Sequence, residues 1–313
     1  AYSARCRGTA PAFQPLALQY PDVAVWQAAQ MAGPTMRAQR SYWLEQLAGD
    51  PSPMTLPLDR PRTGTRGYAG ANAVVRLEPE AQARLHTLAR QQGVTLFTLL
   101  AAALNVLLHR VTGAEEIRVG LPVAGREQAD LQGQIGYYLN NVVLRERVWR
   151  GEPFSQLLQR VRKTVVGAFA NQAYPFDCLV DDLSVTPEHG RTPLFDVLLN
   201  LMPTQALELR LGDLAVAGFH DGASKTPFDL NVMVSDGAAG LSVEFAYDTA
   251  LFDATTVQSM ADTYARLLET IADAPETTVR DICRTLDATE GGAQAASEKA
   301  AFLANALNLN EVF

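Results

Sequence analysis

The sequence has few cysteines, and they do not cluster. Only three occur among 313 residues, at Cys6, Cys178 and Cys283. An odd number at such wide spacing excludes a disulfide framework and a cysteine-based metal site. It also favours a reducing compartment, so we expect a cytoplasmic protein without a bound metal.

Long apolar runs and runs of basic residues are also missing. No segment reaches the roughly 20 consecutive apolar residues that a helix needs to cross a membrane. The formal net charge of -8 and the sequence pI of about 5.1 argue against nucleic-acid binding. We therefore expect neither a membrane nor a nucleic acid as partner.

The first seven residues contain neither a methionine nor a hydrophobic signal segment. They resemble the end of a helix already under way, and we expect a fragment of a longer chain. Beyond Asp287 the composition shifts to Ala, Gly, Glu and Gln. This stretch is interpreted as a linker, followed by a short apolar helix at residues 302–309.

Between these ends, helical and strand patterns alternate, which predicts an α/β fold. A long helical pattern begins at residue 20, with Trp26, Ala29, Tyr42 and Trp43 available to line one face. The later strands are adjacent in sequence, so we expect them to pair antiparallel. The predicted helices cover residues 79–92, 95–113, 153–169 and the stretch after Asp253, and the predicted strands cover 72–77, 117–123, 194–201, 209–216, 228–234 and 241–247.

Several apolar, strand-like segments contain one or two polar side chains. Each such group would cost roughly 1–3 kcal/mol if it were desolvated without a partner. These side chains must therefore bond to one another, to the backbone, to water or to a ligand. They are Asn140, Asn141, Asn200, Asp229 and Asn231.

Two segments resemble motifs of the condensation domain of non-ribosomal peptide synthetases. Residues 20–27, YPDVAVWQ, resemble its Tyr-x-Asp-(Tyr/Phe)-Ala-x-Trp helix start and depart from it at Val23. Residues 135–145, IGYYLNNVVLR, resemble its Ile-Gly-Phe-Phe-Val-Asn-Thr…Leu-Arg stretch, with Asn141 in place of threonine.

Further motifs follow in the family's order. Residues 171–177, NQAYPFD, resemble its (His/Asn)-Gln-Asp-(Tyr/Val)-Pro-Phe-(Glu/Asp) segment and depart from it at Ala173. Residues 191–195, RTPLF, resemble its Ser-Arg-(Asn/His)-Pro-Leu-Phe, with Gly190 replacing the serine. Residues 228–230 and 251–253 also fit, and the resemblance covers about residues 1–285.

The family's catalytic signature, His-His-x-x-x-Asp-Gly, has no counterpart in this sequence. The four histidines are His86, His109, His189 and His220, and none are adjacent. The fragment His220-Asp221-Gly222 lacks the second histidine and the spacing, and it is interpreted as a turn. The chain thus resembles the C-terminal lobe of a condensation domain and the tail of the N-terminal lobe.

The resemblance implies a chloramphenicol acetyltransferase-like fold with a mixed, mostly antiparallel sheet and flanking helices. In this family two lobes form a V with a tunnel between them. Residues 1–55 would be the tail of the N-terminal lobe and the interlobe helix. Residues 56–286 would form the C-terminal condensation lobe, and residues 287–313 a linker and terminal helix.

The resemblance also implies the reaction. Donor and acceptor peptidyl carrier proteins would present thioesters on phosphopantetheine arms, and the acceptor amine would attack the donor carbonyl to form an amide. No cofactor would bind this chain directly, and the missing N-terminal lobe would be a partner. Proximity of two tethered reactants can offset roughly 7–11 kcal/mol of a bimolecular barrier.

By resemblance, no catalytic residue lies in this chain, but several residues become candidates for other roles. Asn200 is the first candidate for lining the tunnel, and Asn140 and Tyr138 would shape the same region. Either Arg126 or Arg118 would pair with the aspartate of the signature. Asp229 is assigned a structural role.

Three interpretations remain open from the sequence. The first is an acyl-transfer lobe for amide formation, inactive alone. The second is a degenerate condensation-like module that binds carrier proteins or recruits a partner without catalysis, and the third is a stand-alone acyl-CoA transferase. Cyclisation and epimerisation relatives share the fold implied by the resemblance. An intact signature upstream would support the enzyme, and its loss would support the binding module.

Overall fold

The computed structural model describes residues 2–13, 15–49, 54–64, 67–126, 128–186, 188, 190–203, 210–211, 214–215 and 224–289. The His-Asp-Gly fragment at 220–222, half of the strand predicted at 209–216 and the helix predicted at 302–309 lie outside the described residues.

Helices and strands alternate along the described chain. The helices are α1 (Tyr2–Cys6), α2 (Tyr20–Gln30), α3 (Pro34–Gln46), α4 (Pro79–Gln91), α5 (Leu96–Thr112), α6 (Phe154–Ala170), α7 (Phe176–Asp182) and α8 (Ala254–Asp273). A further helix is described over residues 279–289. The strands are β1 (Ala69–Leu77), β2 (Glu116–Val123), β3 (Asn140–Arg147), β4 (Val197–Pro203), β5 (Arg210–Leu211), β6 (Leu214–Ala215), β7 (Ser224–Lys225), β8 (Leu230–Gly237) and β9 (Gly240–Asp248).

Seven of the described strands form one mixed sheet in the order β3-β2-β4-β8-β9-β1-β7. Strand β4 pairs in parallel with both β2 and β8, whereas the other pairs in this sheet are antiparallel. The predicted α/β class with a mixed sheet is therefore confirmed. The expectation of antiparallel pairing holds for β8 with β9 but is wrong for β4 with β8, which a long connection brings together side by side.

Helices α5, α6 and α8 supply much of the core beside the sheet. Helix α5 is buried almost throughout its length, and α8 packs against β1. The Tyr264 hydroxyl of α8 donates to the Leu100 carbonyl of α5 at 2.8 Å. Burial without an ionic partner raises the pKa of Tyr264, so this hydroxyl serves as a neutral donor that ties the two helices.

Among the described helices, none by itself has the length and apolar character needed to cross a membrane. Helices α4 and α5 reach that length and composition only as a pair, and the pair is bent by 102°.

The long helix predicted from residue 20 is in fact two helices. Helix α2 ends at Gln30, and α3 starts at Pro34 after Gly33. A proline at the first helical position is tolerated there but would interrupt a continuous helix. The predicted aromatic face is accordingly split, because Trp43 is 1% exposed whereas Trp26 is 48% exposed.

Two buried carboxylates share one arginine where α6 packs on β3. Arg160 donates to both carboxylate oxygens of Glu152 and lies with its Nε 3.8 Å from Glu146. Both glutamate side chains are 5% exposed. Burial raises the pKa of Glu146. The positive charge of Arg160 does not cancel this effect, because Arg160 binds mainly Glu152.

This arrangement predicts that Glu146→Gln stabilises the protein at neutral pH. Folded Glu146 holds its proton more tightly than unfolded Glu146, so stability is lost as the pH rises above the ordinary carboxyl pKa of 4.5. The glutamine cannot ionise, so the free energy of unfolding of the variant should fall less between acidic and neutral pH than that of the unsubstituted protein. Urea unfolding at several pH values measures this difference. Glu152→Gln is the matched control and should destabilise, because it weakens two charge-assisted bonds. Equal effects of the two variants would contradict this assignment.

Candidate functional site

Three of the segments singled out in the sequence line one cavity of about 530 Å³. Helix α2 contributes one wall, residues 137–141 a second wall, and the connection between α6 and α7 a third. The lining combines apolar side chains such as Met31, Met36 and Phe176 with amides such as Gln27 and Gln172. The motif at residues 191–195 lies apart and borders a second cavity of about 400 Å³.

Asn140 fixes the corner where two of these walls meet. Its Nδ2 donates to the Gln172 carbonyl at 2.9 Å and to the Tyr174 carbonyl at 2.8 Å. Its Oδ1 accepts from the Phe176 amide at 3.0 Å. The polar residue at the start of this strand is therefore a brace between β3 and the α6–α7 connection, and its hydrogen-bonding capacity is largely used.

Asn141 is the neighbouring amide, and its situation differs. It also borders the cavity, yet its side chain makes no hydrogen bond within the described part of the chain. Sequence reasoning favoured Asn140 as the wall residue. Of the two adjacent asparagines, Asn141 is thus the one whose side-chain amide is not engaged by the described residues.

Tyr138 and Arg126 organise the loop that precedes β3. Arg126 donates to the carbonyls of Leu131, Gln134 and Gly136 at 2.5, 2.9 and 3.2 Å. Its guanidinium also lies 4.3 Å from the centre of the Tyr138 ring, a cation–π contact. The Tyr138 hydroxyl donates to Gln134 Oε1 at 2.5 Å. Together these contacts hold the cavity wall in one shape.

Helix α2 is attached to the same loop through Tyr20. The Tyr20 hydroxyl donates to the Tyr137 carbonyl at 3.1 Å, and its ring meets the Tyr138 ring edge-on with centroids 5.2 Å apart. A side chain at Gly136 would meet the Tyr20 ring at 2.4 Å. Glycine is thus required at residue 136 for this close approach.

A second set of contacts holds the α6–α7 connection against α3. The Trp43 indole donates to the Asn171 carbonyl at 2.8 Å, and Arg40 forms two 2.8 Å bonds to Asp182. The Tyr174 hydroxyl donates to Asp182 at 2.5 Å. Burial, and then the bond to Asp182, raise the pKa of Tyr174 to about 12, and the bond from Arg40 lowers the pKa of Asp182.

Asn200 lies on β4 and is separate from this constellation. Its Nδ2 is 3.3 Å from the Met202 sulfur, a weak acceptor, and its strand partner is Met233 of β8. It is half-buried and borders neither of the two cavities described above. The structure therefore does not bring Asn200 together with Asn140 and Tyr138.

Arg118 and Asp229 are also separate from the first cavity. Arg118 borders the second cavity, with its Nε 3.7 Å from Glu116. Asp229 is fully buried and is bound by both terminal nitrogens of Arg62, one of them at 2.9 Å. This geometry supports the structural role predicted for Asp229. Its partner Arg62 is 22% exposed.

Arg191 is another residue whose role the sequence left undefined. It donates to both carboxylate oxygens of buried Asp196 at 2.8 and 2.6 Å, and to the Met54 carbonyl at 2.9 Å. Burial raises the pKa of Asp196, and nearby Asp229 adds to this. Two arginine–aspartate pairs thus hold residues 54–64 and the connection before β4 against the starts of β4 and β8.

The described lining of the first cavity has few side chains that could act as an acid or a base. Among its described lining residues there is no histidine, lysine or arginine, and the one carboxylate is that of Asp177. General acid–base catalysis near neutral pH most often uses histidine. Among the described lining residues, Asp177 is thus the one ionisable acid–base candidate besides the cysteine and tyrosine side chains, and no histidine is available for this role.

A family model described as a condensation domain matches residues 1–291. The chain belongs to the condensation-domain family. Its relatives include subunits of non-ribosomal peptide synthetases, and the general function of the family is amide-bond formation.

Two curated relatives show the degree of similarity. Surfactin synthase subunit 1 of Bacillus subtilis (strain 168) is 36% identical over 261 residues, which cover 83% of this chain and 7% of that protein. Tyrocidine synthase 3 of Brevibacillus parabrevis is 33% identical over 300 residues, covering 96% and 4%. The condensation-domain chain thus spans less than a tenth of either relative.

Solved structures share its fold. The X-domain in its complex with OxyB from teicoplanin biosynthesis has a TM-score of 0.83 and 26% identity, covering 90% of this chain and 64% of that one. The first condensation domain of the CDA synthetase has a TM-score of 0.72 and 25% identity, covering 89% and 60%. The fold expected from the sequence motifs is confirmed.

Proposed function

We propose that this chain forms one lobe of an amide-forming condensation site and that the base comes from a second lobe. The observation that carries the proposal is the convergence of α2, residues 137–141 and the α6–α7 connection on one cavity. The described lining contains no histidine, and no two histidines of the sequence are adjacent. The assignment of residues 1–55, 56–286 and 287–313 to lobe tail, lobe and linker belongs to the same proposal.

Exposed apolar side chains beside the cavity support a second covering surface. Tyr137 and Leu139 line the cavity and are 75% and 55% exposed, and Ile135, two residues before Tyr137, is 96% exposed. Such contiguous apolar exposure is typical of interaction surfaces. The N-terminal lobe is the partner that the motif order implies, and donor and acceptor peptidyl carrier proteins would bring the substrates.

In this proposal the chain's own residues position the reactants. The acceptor nitrogen attacks the thioester carbonyl, the new C–N bond forms, and the C–S bond breaks as the phosphopantetheine thiol leaves. The amide of Asn141 would orient a polar group of the tethered substrate, while Asn140 and Tyr138 keep the wall rigid. Asn200 would contact substrate only outside this cavity, and Arg126 would act by shaping the loop. A cytoplasmic location fits this chemistry.

The proposal predicts that Ala24→Trp in the intact synthetase slows amide formation. Ala24 is exposed on α2 and borders the cavity, so the indole would narrow it without disturbing the core. We expect a loss of at least about tenfold in single-turnover assays with carrier-bound substrates, because displacement by about 1 Å can cost up to a hundredfold.

Ala29→Trp is the matched control. Ala29 is exposed on the same helix but does not border the cavity, so its replacement should leave the rate unchanged. An unaltered rate for Ala24→Trp, with thermal stability intact, would remove the cavity from the substrate path and overturn the proposal.

A second candidate function is a non-catalytic module that recruits a partner protein. It is favoured by the similarity to the teicoplanin X-domain, whose structure was solved as a complex with OxyB. Experiments on the parent synthetase distinguish the two candidate functions. Turnover of carrier-bound substrates together with an intact His-His-x-x-x-Asp-Gly signature upstream supports catalysis, whereas a lost signature with retained partner binding supports recruitment.

A further inference from the structure

The face of the seven-stranded sheet that points away from α8 carries two side chains with unused oxygen acceptors. Phe245 of β9 packs on Tyr264 of α8 with ring centroids 5.8 Å apart, so its neighbour Glu244 points to the opposite face. Glu244 pairs with Met233 of β8, and Asn231, two residues before Met233, shares that face. Asn231 and Glu244 are thus diagonal neighbours roughly 7–8 Å apart, which lets both side chains contact one bound group.

Neither of these side chains receives a hydrogen bond from the described part of the chain. The Oδ1 atom of Asn231 is buried and has no hydrogen-bond partner there. Glu244 is half-buried and makes no ion pair or hydrogen bond with any described residue. Arg76 of β1 shares the face but pairs with Ser242, and it forms no ion pair with Glu244. A buried acceptor without a donor costs roughly 1–3 kcal/mol, so a cation with several N–H donors would suit this place.

The same face leads to the first cavity. Asn141 of the cavity wall pairs with Pro122 of β2, and the register of β2 with β4 places Pro122 beside Asn200. Asn200 in turn pairs with Met233, the strand partner of Glu244. One cross-strand row therefore joins the cavity to Glu244 across four strand spacings, roughly 19 Å in all.

This separation decides which part of a tethered substrate can reach Glu244. The proposed reaction takes place in the first cavity, and a side chain of the reacting residue itself is too short to span the row. An extended peptide covers roughly 19 Å with five or six residues. A group held beside Glu244 would therefore belong to an upstream part of the donor peptide.

We propose that Asn231 and Glu244 bind a cationic group of the donor peptide several residues upstream of the reacting thioester. A free amino terminus and a basic side chain are the two sources of such a group. An ammonium supplies three N–H donors and a guanidinium five, and their bonds to a carboxylate are charge-assisted. This inference rests on the proposed function, since it names the class of donor that the amide-forming site would accept.

The test compares matched donor peptides of six residues, loaded on the donor carrier of the intact synthetase. One pair has lysine or norleucine as its first residue behind an acetylated amino terminus, and the other has a free or an acetylated amino terminus. We expect kcat/KM to favour the cationic member of at least one pair on the order of tenfold. Glu244→Gln should abolish most of that preference. No preference in either pair, or an undiminished preference in Glu244→Gln, would overturn the proposal.

Two further variants distinguish binding from a structural role. Asn231→Leu replaces the buried acceptor by an apolar side chain of similar size, so the melting temperature should stay the same or rise. The preference for the cationic donor should nevertheless fall. Glu244→Lys should invert the preference, so that a donor with glutamate as its first residue is used better than the lysine donor. A loss of stability in Asn231→Leu with the preference intact would show that this asparagine is only structural.

Glu269→Gln is the matched control. Glu269 is exposed on α8, which packs on the other face of the sheet, and its replacement removes the same charge. It should leave the donor preference as it is in the unsubstituted synthetase. If Glu244→Gln slows all donors equally, Glu244 contacts the second lobe rather than substrate, and the proposal is wrong.

Direct binding decides the inference independently of turnover. The probes are the lysine and norleucine peptides joined to pantetheine through a non-reactive amide, together with the free and acetylated forms of the norleucine probe. Calorimetric titration of the intact synthetase should give a lower Kd for the cationic member of a pair, and Glu244→Gln should reduce the difference. If the synthetase forms no amide with any donor, the proposed function fails while this comparison still decides the site. Equal Kd values within both pairs would overturn it.

Discussion

Replacing Arg62 with alanine is expected to lower the free energy of unfolding by about 3–5 kcal/mol, the usual cost of removing one member of a buried ion pair. The Asp229 side chain is fully buried, and Arg62 contacts both of its carboxylate oxygens. Arg62 also donates to the Gly190 carbonyl at 3.1 Å. Urea unfolding at neutral pH measures the loss.

Arg84→Ala is the matched control. Arg84 and Asp273 are 3.0 Å apart but are 48% and 60% exposed, and exposed ion pairs contribute at most about 1 kcal/mol. Similar losses for the two arginines would mean that the buried pair has no special role. In Arg62→Ala/Asp229→Leu, which removes both charges, much of the stability should return.

The second large effect is expected at Asn140. Asn140→Ala removes two donated hydrogen bonds and one accepted bond. At roughly 1 kcal/mol each, the expected loss is about 2–4 kcal/mol. Since these bonds join β3 to the α6–α7 connection, we also expect the cavity wall to loosen and the midpoint of urea unfolding to fall.

The adjacent Asn141 separates stability from function. Asn141→Ala should change the free energy of unfolding by no more than about 0.5 kcal/mol, because its side chain has no hydrogen bond within the described ranges. In the intact synthetase it should nevertheless slow amide formation. A stability loss as large as that of Asn140→Ala would show that the two roles are assigned the wrong way round.

These two asparagines illustrate what sequence reasoning could achieve. The pair stood out because amides are poor residues at the start of a buried strand, and that signal was sound. The sequence pattern could not distinguish an asparagine whose amide is hydrogen-bonded within the protein, such as Asn140, from one whose amide is not, such as Asn141. The partners of Asn140 lie 32 to 36 residues further along the chain, and no local pattern encodes that distance.

The arginine–aspartate pairs give the same lesson over longer separations. Arg62 lies in a Pro-, Gly- and Arg-rich segment that is typical of a surface loop, and its partner Asp229 is 167 residues away. The arginine is 22% exposed while the aspartate is fully buried. Only tertiary packing makes that charge costly to remove.

By itself the sequence determined the α/β class, most helices and strands, and the family, because periodicity and ordered motifs are local properties of a chain. Only the tertiary structure decided the parallel pairing of β4 with β8, the break between α2 and α3 and the separation of Asn200 from the cavity. These depend on which distant segments meet, since burial and partnership arise when the chain folds.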